Sequence, residues 1–120
     1  MPKIDLESIE QVNRTGYPPP HNEAVAGRWY RRLAPATGLT DFGVSHVTLK
    51  PGAWSSQRHW HDGEDEFVVM LSGEAVLVED EGRTLLVALK RFTKNNSPIN
   101  TIAARQRIAD TLIEANKYVY

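Results

Sequence analysis

The chain contains no cysteine. That excludes disulfide scaffolds, thiolate zinc sites and thiol catalysis, and it agrees with a cytoplasmic protein. No apolar run approaches the ~20 residues of a membrane span, and no basic-then-apolar leader stands before Lys3, so neither a membrane nor a secreted protein is expected. Glycine is missing from residue 83 onward: all eight glycines precede that point, where an average chain would place about two or three more. Histidine runs out earlier still, with His61 the last. What remains is 120 residues, 41% of them hydrophobic, which is enough for one core and too apolar for a disordered chain.

Charge divides where glycine does. Residues 1–82 carry seven Lys/Arg and thirteen Asp/Glu, while residues 83–120 carry seven and two; balances of −6 and +5 give the net −1. Three regions follow. Residues 1–26 read as an arm, with a triple proline at Pro18–Pro20 and a short helix expected at Asp5–Gln11. Residues 27–90 read as short strands: Arg28–Leu33, Phe42–Leu49, Ser56–His61, Phe67–Leu71, Ala75–Val78 and Thr84–Leu89, separated by turn signals such as Pro51-Gly52 and Ser72-Gly73. That cadence is mainly β, a sandwich or barrel. Residues 91–120 form an atypical basic tail. Within it Ser97-Pro98 matches a helix start, and the spacing of Ile99, Ile102, Ala103, Ala109, Leu112 and Ile113 predicts an amphipathic helix over 98–115.

Chemistry centres on the histidines. On a strand, His59 and His61 project from one face and Trp60 from the other, so the two imidazoles can chelate one divalent ion. Glu66, five residues on and past a turn, can add a carboxylate oxygen. Two histidines and a carboxylate suit Fe(II), Mn(II), Ni(II) or Zn(II) and leave positions open for water or a ligand. An exposed histidine pair near a turn is the plainer explanation of the same residues. Ligation needs neutral imidazoles, and free histidine titrates near pH ~6.5, so occupancy is expected to fall as pH drops through ~6.

Gly52, six residues, His59-x-His61, four residues, Glu66, six residues and Gly73 form a pattern that resembles the first signature motif of the cupin superfamily, departing by one residue in the first spacer. The stretch from about Trp29 to Gly82 is similar to small bacterial single-domain cupins in its order of strands and turns. The resemblance implies a double-stranded β-helix, or jelly-roll, barrel with a metal held inside by His59, His61 and Glu66. It also implies a homodimer or larger assembly joined through the arm. The second motif is absent, because its histidine, the last metal ligand, and its glycine turns have no counterpart beyond residue 82. His46 is a substitute ligand if its strand lies beside the site, and Glu64 can replace Glu66 if the turn is tighter. The barrel is therefore expected to be incomplete at its C-terminal side. Its tail is either a divergent ending with a helix or the product of an altered reading frame after about residues 83–86.

The remaining features have plain readings. Trp29, Trp54 and Trp60 are expected in the core or at the barrel mouth, with Trp54 and Gln57 near enough to the histidines to touch a ligand. Arg28, Arg31 and Arg32 read as a solvated strand face, with a clamp for an anionic ligand as the lesser alternative, and Asp62, Glu64 and Asp65 read as an exposed acidic loop. His21 lies in the proline-rich arm and has no expected role. Arg105 and Arg107 lack aromatic partners or a recognised binding motif, so nucleic acid is not an expected partner. Three functions stay open: a metal-binding cupin for a small polar metabolite, a metal-free ligand-binding or sensory cupin, or a variant that has lost the ancestral site.

Overall fold

Runs rich in Val, Thr and Leu write the architecture into Val44–Leu49, Val68–Ser72 and the pair Glu74–Glu79 and Gly82–Val87, because β-branched and aliphatic side chains pack well on a pleated surface. The computed structural model describes residues 3–88 and the strand 110–115. Six strands result: β1 (Arg28–Arg32), β2 (Val44–Leu49), β3 (Val68–Ser72), β4 (Glu74–Glu79), β5 (Gly82–Val87) and β6 (Asp110–Ala115). A four-stranded sheet has the order β1-β2-β6-β3, and β4-β5 form a two-stranded one.

The expected strands are present with one exception. Ser56–His61 has no regular secondary structure, so the two histidines sit on a loop between β2 and β3 rather than on a strand. The closing turn after β1 is itself a single helical turn, α1 (Leu33–Thr37), which buries Leu33 and Ala34 and ends at Gly38. In the arm, the expected helix is reduced to one 3-10 turn, Leu6–Ser8, capped by the Asp5 side chain.

The C-terminal helix is a correction. Where the structure describes that segment, residues 110–115 are a strand, parallel to β2 on one side and to β3 on the other. Residues 98–109 of the expected helix lie outside the described residues. The physical reason is tertiary: the slot between β2 and β3 offers two ladders of backbone partners, and intrinsic helical pattern is a weaker term than a doubly paired strand. Jelly rolls are antiparallel throughout, so these two parallel pairings mark where the chain departs from the expected barrel.

The arm is sewn to the sheet. Val12 and Tyr30 exchange backbone hydrogen bonds of 2.9 Å, extending the sheet past β1. Asn13 Nδ2 donates to the carbonyls of Ala26 and Arg28, at 2.8 and 2.7 Å. The antiparallel β1–β2 register pairs Arg28 with Leu49 and Tyr30 with Val47 on one face, and Trp29 with Thr48 and Arg31 with His46 on the other. Residues 7–11 reach that second face: Arg31 bonds the Ile9 carbonyl and Glu7, and Gln11 bonds Thr48. Val47, Leu49, Met70 and Leu86 form the core on the first face, with Tyr30, Val68, Ala75 and Leu77 packed against it.

Candidate functional site

Gly52 and Gly73, which bracket the histidine segment, both take left-handed backbone, with φ of +79° and +71°. Each lets the chain turn where an L side chain would be strained. Between them the loop carries His59 and His61, and Glu66 lies just before β3.

His59 Nδ1 donates to the Gln57 carbonyl at 2.7 Å. A carbonyl only accepts, so the proton of the neutral ring is on Nδ1 and Nε2 keeps its lone pair for a metal or a ligand proton. His61 Nδ1 faces Glu64 Oε2 at 3.5 Å, which likewise turns its Nε2 away from the carboxylate. The two rings stand edge to face with centroids 4.7 Å apart. Trp60 points away, 82% exposed. The pair therefore stays adjacent on a loop, although the strand alternation that suggested it is not the cause.

His59 and Glu66 line one pocket of about 270 Å³, together with Tyr17, Arg28, Tyr30, Ser45, Val47, Ser55 and Ser56. His61 is not among its lining residues. Among the described residues, no three His, Cys, Asp or Glu side chains gather into a group able to hold a metal ion. The donor chemistry thus fits a divalent ion, and the adjacency of His59 and His61 fits it, but the three groups are not drawn together as a set.

Other expectations meet the structure as follows. β2 does lie beside the site, since Ser45 and Val47 line the pocket, but His46 has the opposite parity and is buried on the other face, 3% exposed. Glu64 faces His61 and does not replace Glu66 in the pocket lining. Trp29, Trp54 and Trp60 are all exposed, so none is a core residue. Gln57 spends its side-chain amide on the His21 carbonyl, 2.7 Å away. The arginine face is not uniformly solvated: Arg28 lines the pocket, and the Arg31 side chain is only 13% exposed. Sequence reasoning missed Tyr17, Tyr30 and the three serines. Strand parity on β1 and β2 was the available signal for Tyr30 and Ser45; nothing in the arm announces Tyr17.

Residues 45–88 match the family model of the cupin domain. The chain belongs to the cupin superfamily. A crystal structure of a sugar phosphate isomerase from that superfamily, from Silicibacter pomeroyi, superposes with a TM-score of 0.69 at 48% identity, covering 72% of this cupin and 55% of the isomerase chain. The cupin thus spans a little over half the length of that relative. No curated protein matches it. Among the described residues, no helix of this cupin is long and apolar enough to cross a membrane.

Proposed function

We propose that this cupin holds one divalent ion, Fe, Mn, Ni or Zn, on His59, His61 and Glu66, and takes a small polyhydroxylated metabolite of the sugar phosphate class in the adjoining pocket. The observation that carries the reading is His59: its Nδ1–H is committed to Gln57, and it lines one pocket with Glu66 and five hydroxyl-bearing residues. The likeness to the sugar phosphate isomerase supports the substrate class. An ion there would polarise a ligand oxygen as a Lewis acid. The chain's own part is to orient the ligand: the hydroxyls of Tyr17, Tyr30, Ser45, Ser55 and Ser56 match a polyol, each able to donate and accept. Because the three ligands are not gathered as a set, part of the binding energy of the ion goes into assembling them, and the site is weaker than one with four ready ligands.

Elemental analysis and calorimetric titration of Fe(II), Mn(II), Ni(II) and Zn(II) at pH 7.5 test this. His59→Ala and His61→Ala each abolish binding. Glu66→Gln weakens it on the order of tenfold, equivalent to ~1.4 kcal/mol, since a neutral amide is a poorer ligand than a carboxylate. His46→Gln and His21→Ala leave it unchanged. Wild type that binds none of the four ions, yet binds a sugar phosphate, establishes instead the metal-free ligand-binding cupin, a reading favoured by the dispersed ligand set.

A further inference from the structure

The pocket holds a cation whose direct partners among the described residues are neutral. Arg28, at the start of β1, donates from Nη1 to the Ser55 carbonyl at 2.7 Å and from Nη2 to the Arg14 carbonyl at 3.0 Å. Its Cζ lies 5.2 Å from the centroid of the Tyr30 ring. Its Nε is buried and has no hydrogen-bond partner. Arg31 pairs with Glu7 and Arg58 with Asp80, but among the described residues no carboxylate pairs with Arg28. Two backbone carbonyls, from residues 14 and 55, and an aromatic face therefore fix the guanidinium without a directly paired carboxylate. Holding a partly desolvated charge without a counter-charge is unfavourable, and an arriving anion removes that cost.

We propose that Arg28 is the specificity-determining residue of this pocket, reading the phosphate of a small phosphorylated polyol. The planar fork of a guanidinium matches a phosphate in geometry as well as charge. Ser55, Ser56 and Tyr17, on the walls that Arg28 ties together, supply further donors to phosphate oxygens. His59 and Glu66 line the same pocket, so a ligand whose anion meets Arg28 has its hydroxyl groups within the same lining. The volume of about 270 Å³ has room for a small phosphorylated polyol. The inference rests on reading the pocket as a polyol site, and it is independent of whether a metal is bound.

The test uses the full chain, with and without Zn(II), and three probes: glucose 6-phosphate, glucose and inorganic phosphate. In ¹⁵N NMR of wild type, glucose 6-phosphate and inorganic phosphate shift the Arg28 Nε–H resonance and glucose does not. In calorimetry, glucose 6-phosphate binds at least tenfold more tightly than glucose. Arg28→Gln erases that preference and Arg28→Lys restores part of it. The proposal is overturned if both phosphate probes leave the Arg28 resonance in place, or if glucose binds as tightly as its phosphate. Should Arg28→Gln fail to fold, the wild-type resonance alone decides. An intact Arg28 response in a protein that takes up none of Fe(II), Mn(II), Ni(II) and Zn(II) sinks the metal reading and leaves this one standing.

Discussion

Ser45, His46 and Val47 are consecutive, and their fates differ by parity alone. Ser45 and Val47 face the pocket, whereas His46 is buried on the face that the arm covers. That much of the site was legible, because alternation on a strand follows from backbone geometry. The pairing of His59 with His61 was legible as a motif and not as geometry: a loop holds the rings together through Gln57 and Glu64, partners no periodicity predicts. For Arg28 the sequence leaves a solvated face and an anion clamp both open, for a related reason. Its sequence neighbours Arg31 and Arg32 suggest a charged surface, while its true surroundings come from residues 14 and 55, far along the chain. Gly27 offers a test at this scale. A Cβ added there would meet Ala53 Cβ at 2.6 Å and Lys50 Cβ at 3.1 Å, and the Gly27 carbonyl also accepts the Lys50 N–H at 3.0 Å. We expect Gly27→Ala to cost about 1–3 kcal/mol through overpacking, read as a lower denaturation midpoint with an unchanged slope.

At the level of elements, turn residues and β-branched runs located five of the six strands within a few residues, since a strand with one buried face has a strongly specified pattern. The sixth was missed because 98–115 carries a helical spacing, and what decides the conformation of 110–115 is two neighbouring strands. The β4–β5 hairpin shows how a strand pattern converts to docking. Leu86 faces inward at 4% exposure and joins Val47, Leu49 and Met70, whereas Leu85, its neighbour, is 52% exposed. Leu86→Ala should therefore cost about 2–5 kcal/mol, by lost transfer energy and the cavity left behind. Leu85→Ala should cost no more than about 0.5 kcal/mol. Equal losses in parallel urea titrations would refute the assigned facing of this strand.

For the whole molecule, the divide in glycine and charge at residue 83 and the end of the family match at residue 88 nearly coincide. The β4–β5 hairpin, which straddles that divide, presents Val78, Leu85 and Val87 outward as an apolar strip. Exposed strips of this kind on a small β protein favour self-association. We propose that the cupin is a homodimer or larger, to be checked by light scattering at micromolar concentration, where a purely monomeric species would refute it. Leu85→Glu should lower the mass without loss of the β-sheet circular dichroism.

The walls of the pocket come from Tyr17, from β1 and β2, and from residues 55–66, brought together by Arg28 and by the backbone exchange of Val12 with Tyr30. In kinetic terms this is a feature of high sequence separation, and closing long loops comes late because their entropy is lost before any contact rewards it. The hairpin and the β1–β2 pair can form from local contacts while the arm is still free. A chain at that stage has a core and no site, so ligand binding counts molecules whose arm has docked, a smaller population during refolding than the one that circular dichroism sees.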